Sequence, residues 1–286
     1  VLVHPGTYKE NIFFNGKKVT VASLAFTSGN AAYISETIIQ SDTAGSVINF
    51  IANEDSSSVI YGFTITGGNG RPARWGSQGG GVYIGQWASP RLEYLHVTQN
   101  AAHRGGGIYC GINSKPAMFH INIFDNLGQI GGGLYFDYNV NAHIEHLTVV
   151  ENTGFLAGGG IYFDARANSQ IKYGKILRNY SEKGGAFFVY SSQPVISNMT
   201  IYGNEVLFNG GGLYCGMEAK PILINNIFWN NTPYEIEFSQ EYGGRAAVTI
   251  SHCIVQGGFD QIQNRYDKII WLDGNIDADP QFSNES

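Results

Sequence analysis

Two aspartates and one arginine have the residue types and spacing that could do chemistry. Asp137 and Asp164 occupy the same place in neighbouring copies of a repeat, and Arg166 follows two residues after the second. In stacked parallel strands, equivalent residues lie about 4.8 Å apart, and two carboxylates that close repel each other. Three interpretations are open. The residues could form a catalytic site together with Arg166, Asp137 and Asp164 could bind Ca²⁺, or the pair could lie on an ordinary solvated surface. Arg166 could bind an acidic sugar, act as a base, or pair with Asp164.

A column of aromatic residues next to these aspartates could bind a sugar. Outward aromatic faces can pack against sugar rings, and exposed aromatic rows are typical of recognition surfaces. The alternative is that the rings stack on one another for stability, or lie beneath loops. The column recurs once per repeat as Tyr83, Tyr109, Tyr135, Tyr162, Phe188 and Tyr214. We predict substrate binding by Tyr83, Tyr109, Tyr135 and Tyr162, together with Tyr190, which follows the two aspartates in their own column.

A third column contains two histidines, His120 and His146, with Glu145 next to the second. Stacked histidines with a nearby carboxylate could bind a metal ion. The other interpretation is a stack of rings and amides at a turn, in place of an asparagine ladder. The full column is Tyr94, His120, His146, Tyr173, Asn198 and Asn225.

All three columns depend on a phrase that recurs through the middle of the chain. One copy is Gly105-Gly106-Gly107-Ile108-Tyr109-Cys110, and the first glycines stand at positions 79, 105, 131, 158, 184 and 210. The steps between them are 26, 26, 27, 26 and 26 residues. A fixed period of this size predicts a solenoid, in which each unit stacks on the one before it.

The strands within each repeat can be oriented from their pattern. In the glycine-led strand, the residues on both sides of the tyrosine are apolar, which predicts that they point inward and the tyrosine outward. A second, alternating run in each repeat ends at an asparagine, whose amide could bond to the turns above and below. These asparagines are Asn100, Asn126, Asn152, Asn179, Asn204 and Asn231.

These phrases resemble the repeats of right-handed parallel β-helix proteins of the pectate-lyase-like superfamily. Residues 5–12 resemble the first coil of many such proteins, and residues 274–282 resemble the end of this region in large bacterial surface proteins. The resemblance implies an all-β fold, a right-handed parallel β-helix, in a secreted or cell-surface bacterial protein. It also implies a carbohydrate-active function, in which the chain binds polysaccharide and could cleave it as a lyase or a glycoside hydrolase. The alternative is a non-catalytic adhesin or spacer domain.

The activity stays open because the family patterns are incomplete. Lyases of this fold combine a calcium-binding acidic cluster with an Arg or Lys base, and hydrolases show three aspartates, two of them adjacent. This chain has only Asp137 and Asp164 in the column and no Asp-Asp dipeptide.

Composition excludes some partners and suggests one elongated domain. A net charge of −6 in 286 residues argues against nucleic acid, and the absence of a run of about 18 apolar residues predicts no membrane span. Cys110 and Cys215 lie four repeats apart, roughly 19 Å, which is too far for a disulfide, so we expect both to be buried. We expect a monomer with irregular N-terminal coils at 1–78, regular repeats at 79–235, and a last coil with a cap at 236–286.

Overall fold

The computed structural model describes residues 1–239, 245–263 and 268–282. In this part of the chain, strands of successive repeats lie side by side and form three sheets, in which all pairings but one are parallel. Equivalent residues pair directly, so that Tyr83 lies beside Tyr109, Tyr109 beside Tyr135, and Tyr135 beside Tyr162. Each repeat of about 26 residues is therefore one coil of a parallel β-solenoid, and the predicted fold class is confirmed.

The three sheets are named here by what distinguishes them. The glycine-led sheet contains Ile12–Phe13, Ile48–Phe50, Val82–Ile84, Ile108–Cys110, Leu134–Phe136, Ile161–Phe163, Phe187–Val189, Leu213–Cys215 and Ile236–Phe238. The third sheet contains Arg71–Ala73, Gly76–Gln78, Ala101–Arg104, Leu127–Ile130, Thr153–Ala157, Tyr180–Lys183 and Glu205–Asn209. The bent sheet contains Leu2–Val3, Gly6–Lys9, Thr20–Ser23, Thr37–Gln40, Val59–Tyr61, Thr64–Thr66, Arg91–Thr98, Ala117–Phe124, His143–Val150, Gln170–Leu177, Val195–Tyr202, Ile222–Ile224, Ile227–Trp229, Ala247–Ser251, Ile254–Val255 and Lys268–Trp271.

One coil shows how the sheets are connected. The chain leaves Ile108–Cys110, turns into the long strand Ala117–Phe124, and bends within that strand at His120. It then passes through Leu127–Ile130 and enters the next coil at Gly131. His120 and Gly131 both have left-handed backbones, with φ of 56° and 66°, and these angles let the chain change direction.

Glycine is required where neighbouring coils approach most closely. Gly105 has φ of 65°, which favours a residue without a Cβ atom. A Cβ atom on Gly106 would lie 2.4 Å from the carbonyl oxygen of Leu127 and 2.5 Å from that of Gly132. The glycine phrase therefore permits backbone contact between successive turns of the solenoid.

The recurrent asparagines form the predicted ladder inside the turns. The Oδ1 atom of Asn152 accepts bonds from the backbone N–H and side-chain amide of Asn126, at 3.0 and 2.9 Å. The Nδ2 atom of Asn152 donates to the carbonyl oxygens of Ile123 and Val150 and to Oδ1 of Asn179. Each buried amide thus satisfies backbone groups that the turn would otherwise leave unpaired.

The ladder ends at a buried carboxylate that the sequence did not single out. Asn231 is the last asparagine, and its backbone N–H and side-chain amide both donate to the carboxylate of Glu235. Only 8% of Glu235 is exposed. Burial raises the pKa of this carboxyl to about 7, against the hydrogen bonds from Asn231, which favour the charged form.

Apolar residues of the glycine-led and bent sheets fill one continuous core. The columns on either side of the tyrosines are fully buried, which confirms their inward direction. Cys110, Cys215 and Cys253 are buried and free, as expected for Cys110 and Cys215. No helix in the described residues is long and apolar enough to cross a membrane.

Outside the regular repeats, the described residues contain elements that the repeat pattern does not predict. We expect no helix from the sequence, but Ala25–Ser28 and Ala32–Glu36 are short α-helices, and Phe259–Gln261 is a 3₁₀-helix. Helices of three to five residues are too short to show a helical period in the sequence. The polar insertion at 70–76, which predicts a loop, forms an antiparallel hairpin of Arg71–Ala73 and Gly76–Gln78. From the sequence we predict a short edge strand or a cap at 267–272; the segment contains the strand Lys268–Trp271, and Asp267 lies outside the described residues.

Candidate functional site

The tyrosine column stacks in register along the glycine-led sheet. Ring centroids are 5.4 Å apart for Tyr83 and Tyr109, 5.7 Å for Tyr109 and Tyr135, and 5.0 Å for Tyr135 and Tyr162. The planes of these neighbouring rings lie within 14° of parallel. None of these rings belongs to the core cluster, so the column lies outside the core, as the strand pattern predicts.

The prediction that this column is an exposed platform is wrong for its central rings. Only 3% of Tyr109 and 2% of Tyr135 is exposed. Each ring face is occupied by the next ring, and the glycine turns fold over the stack. A Cβ atom on Gly131 would lie 3.0 Å from the Cβ of Tyr135, and one on Gly158 would lie 2.9 Å from that of Tyr162.

The remaining predicted binding residues are partly accessible. Tyr83, Tyr162 and Tyr190 are half-buried, and the hydroxyl of Tyr190 lies 3.9 Å from the sulfur of Met217. The guanidinium of Arg71 lies 5.5 Å from the centroid of the Tyr83 ring. Sugar binding by these tyrosines stays a prediction.

Asp137 and Asp164 are held as hydrogen-bond acceptors beside the tyrosine stack. The hydroxyl of Tyr109 donates to Oδ2 of Asp137, and that of Tyr135 donates to Oδ2 of Asp164 at 2.7 Å. The Oδ1 atom of each aspartate accepts the N–H of the following residue, at 2.7 Å in both cases. Both oxygens of both carboxylates are therefore engaged, which favours a structural role for the pair.

Arg166 donates a hydrogen bond to a residue outside this pair. It has φ of 61° in a turn, and its Nη1 donates to the hydroxyl of Tyr138 at 2.6 Å, with the guanidinium 5.4 Å from that ring. No salt bridge joins Arg166 to Asp164 among the described residues, so that alternative is not supported. Nor do any three His, Cys, Asp or Glu side chains in the described ranges come together as metal ligands. Catalysis and Ca²⁺ binding by Asp137 and Asp164 stay predictions.

The electrostatics of the stack keep its tyrosines protonated. Burial, and then the nearby Asp137 carboxylate, raise the pKa of Tyr109 far above its ordinary value. Burial and Asp164 act in the same way on Tyr135. Arg104, whose guanidinium lies 5.5 Å from the Tyr135 centroid, opposes both shifts. A phenol with so high a pKa donates hydrogen bonds and does not act as a general base.

A second stack of rings lies on the bent sheet, where His120, His146 and Tyr173 are exposed and Tyr94 is half-buried. Ring centroids are 4.5 Å apart for Tyr94 and His120, 4.4 Å for His120 and His146, and 5.5 Å for His146 and Tyr173. This is the column at which the long strands bend, and it is called the bend column below. Its six members, Tyr94, His120, His146, Tyr173, Asn198 and Asn225, have φ between 52° and 58°.

A groove of about 540 Å³ runs along the bend column. One wall carries the bend-column side chains. The other carries the outward residues two positions later in each strand, which are His96, Asn122, Thr148, Lys175 and Thr200. The helix Ala32–Glu36 closes one end, where Ile34 lines the groove and its carbonyl oxygen accepts the hydroxyl of Thr64 at 2.9 Å.

The stacked rings present their edges to this groove. His120 and His146 are within 5° of parallel, so their faces contact each other and their ring nitrogens and edges remain accessible. The same holds for the hydroxyl ends of Tyr94 and Tyr173. The groove therefore offers a row of hydrogen-bond donors and acceptors, joined by the hydroxyl, amide and amine groups of the second wall.

The sequence contained a signal for this groove. The sequence pattern predicts that the bend column lies at a turn, and the left-handed backbones confirm this placement. Its side chains point outward, however, and so do not replace the internal asparagine ladder. An imidazole or phenol that recurs at an outward turn position, where Asn or Gly fits the backbone more easily, indicates a use for the ring itself.

The stacked parallel coils, the glycine turns and the asparagine ladder define this chain as a β-solenoid protein. Residues 155–276 match the family model described as "Right handed beta helix region". The match covers less than half of the chain, so over these residues the chain is similar to right-handed β-helix proteins, and the solenoid fold is consistent with the pectate-lyase-like superfamily. No curated protein and no solved structure matches the chain.

Proposed function

We propose that this chain binds polysaccharide in the groove along the bend column. The observation that carries the proposal is a groove of about 540 Å³ that crosses successive coils, where apolar ring and aliphatic surface alternates with hydroxyl, amide, imidazole and amine groups. A polymer with a hydroxyl on every unit can repeat its contacts from one coil to the next. Stacked strands place equivalent side chains about 4.8 Å apart, close to the length of one sugar ring.

The binding surface proposed here differs from the one suggested by the tyrosine column. Recognition in the bend groove relies on hydrogen bonds from ring edges, because ring faces are covered by neighbouring rings. Sugars bury hydroxyl groups on binding, so a lining that pairs those groups avoids the cost of desolvation. The β-helix also supports a structural role, and a spacer domain would not need a groove of this size.

Blocking the groove tests the proposal. Thr148 lies at its centre on an outward strand position, so Thr148→Trp should fill the groove without entering the core. Plant, algal and animal polysaccharides would be screened by affinity electrophoresis. We expect the variant to weaken binding of the recognised polymer at least tenfold, while Gln129→Trp on the third sheet keeps it. Equal binding by Thr148→Trp and the unmodified chain would remove the basis for the proposal.

Cleavage of the bound polymer is a separate hypothesis, which rests on Asp137, Asp164 and Arg166. It is tested by absorbance of unsaturated products, for a lyase, and by reducing-sugar release, for a hydrolase. The support for it is the adjacency of two carboxylates, whereas their hydrogen bonds to tyrosines favour a structural role. A polysaccharide ligand also leads us to propose a secreted or cell-surface location, which cell fractionation would test.

A further inference from the structure

The groove along the bend column has an unusual charge composition for this chain. Its lining includes His96, His120, His146 and Lys175, and it includes no aspartate or glutamate. The whole chain has 23 acidic and 17 basic residues, so a surface without carboxylates runs against the overall balance. The ionisable groups that face the groove are therefore three imidazoles, one amine and the phenols of Tyr94 and Tyr173.

The carboxylates next to the bend column form ion pairs with cationic side chains outside the groove lining. Glu93 and Glu145 lie one residue before bend-column positions, on the flank outside the groove. Arg91 pairs with Glu93 through Nε. Glu145 is 3.5 Å from Nζ of Lys172 and 3.1 Å from Nε2 of His143.

The remaining elements around the groove add no opposing charge to its lining. The helix Ala32–Glu36 contributes Ile34 there, and the loop before it contributes Ala31. No salt bridge joins Lys175 to a carboxylate within the described ranges, and its side chain is exposed. The amine is therefore available to a negatively charged ligand.

The stacked imidazoles make the charge of the groove depend on pH. His120 and His146 have ring centroids 4.4 Å apart, so a proton on one opposes a proton on the other. Burial lowers the pKa of His120, the neighbouring His146 lowers it further, and Glu93 and Glu145 act in the opposite direction. Burial also lowers the pKa of His96. An anion placed along the ring edges would stabilise the protonated forms, so its binding would be coupled to proton uptake.

We infer that the groove selects polysaccharides that carry carboxylate or sulfate groups, and that it holds them more tightly as the pH falls through the imidazole range. This inference rests on the proposed function, because it concerns the same groove. Lys175 supplies a positive charge at neutral pH, and the histidines add charge in acid.

The test compares charged polymers with neutral forms of the same backbone. Polygalacturonate is paired with its methyl ester, and chondroitin sulfate with desulfated, carboxyl-reduced chondroitin, so the two arms separate carboxylate from sulfate recognition. Dissociation constants would be measured with the full chain at pH 8.0 and pH 5.5. We expect a charged form to bind about tenfold more tightly at the lower pH, as several exposed charge pairs of about 0.2–1 kcal/mol each would give.

A double variant tests whether the stacked imidazoles are responsible. His120→Asn with His146→Asn suits the left-handed backbone, since Asn198 and Asn225 occupy the same column. We expect it to lose most of the pH dependence. His4→Asn with His252→Asn removes two imidazoles outside the groove lining and should keep that dependence.

The outcomes separate this inference from the proposed function. If a charged polymer and its neutral form bind equally at both pH values, and Thr148→Trp weakens both, the groove binds polysaccharide and the inference is wrong. If the control pair of histidine variants loses the pH dependence as fully as the groove pair, the inference is also wrong. If Thr148→Trp changes the binding of no polymer, both proposals fail.

Discussion

Replacement of the carboxylate that ends the asparagine ladder should change how stability responds to pH. Glu235 is buried, and its pKa rises from 4.5 to about 7 in the folded chain. Because the folded pKa is above the unfolded one, the folded state binds the proton more tightly. The cost of the buried charge is therefore fully present above about pH 7, shrinks as the pH falls, and is absent below the unfolded pKa.

The size of this effect follows from the shift. The rise in pKa from 4.5 to about 7 corresponds to about 3.5 kcal/mol over the full titration, at about 1.4 kcal/mol for each tenfold change in proton affinity. Between pH 5 and pH 8 the chain should thus lose about 2.5 kcal/mol of unfolding free energy because of this group. Glu235→Gln cannot ionise and should remove that slope, whatever its effect on absolute stability through the two bonds from Asn231.

The measurement is the urea unfolding midpoint at half-unit steps from pH 5 to pH 8, followed by circular dichroism. Glu54→Gln is a matched control, because Glu54 is also buried and accepts the backbone N–H groups of Gly16 and Ala52, both at 2.9 Å. We expect the slope due to Glu235 to persist in that control. Parallel pH profiles for the unmodified chain and Glu235→Gln would refute the assignment of the slope to Glu235.

Three further predictions concern the coil and the candidate site. Asn152→Leu leaves backbone groups on two turns unpaired, so we expect the free energy of unfolding to fall by about 4 kcal/mol in urea unfolding. A fall below about 1 kcal/mol would contradict the role of the ladder. Gly106→Ala places a Cβ atom 2.4 Å from a backbone oxygen and should lower the free energy of unfolding by at least about 3 kcal/mol in the same assay. Gly29→Ala is the control, because Gly29 has φ of 69° but nothing lies within 4 Å of the added Cβ atom, so it should lower that free energy by only about 1 kcal/mol. Asp164→Asn should leave polysaccharide affinity within about twofold, because both carboxylate oxygens bond within the protein, and a complete loss of product formation in this variant would instead establish catalysis.

Sequence periodicity was sufficient for the fold because the coil repeats the same local rules. The six glycine phrases set the register, and the alternation around each tyrosine set which side chains enter the core. The asparagine ladder was also predictable, since a buried turn must satisfy its own backbone groups. Each of these features depends only on residues within one repeat and the next.

Exposure could not be predicted in the same way. Whether Tyr135 is accessible depends on how sharply the chain folds back at Gly131, an angle that the tyrosine pattern does not contain. The depth of the groove depends on the helix Ala32–Glu36, which lies far from His146 in the sequence. The pKa of Glu235 depends on how deeply the folded chain buries its carboxyl. These properties depend on turn angles and on contacts between segments that are far apart in the sequence, and the repeat pattern contains neither.

The bend column gives each coil one side chain that the core does not constrain. Tyrosine, histidine and asparagine already share this position with the same backbone angles. Mutation there can exchange one chemical group for another while the neighbouring coils keep their packing. Such a surface can change by one substitution in one coil at a time, and each intermediate sequence can still fold while the ligand preference changes.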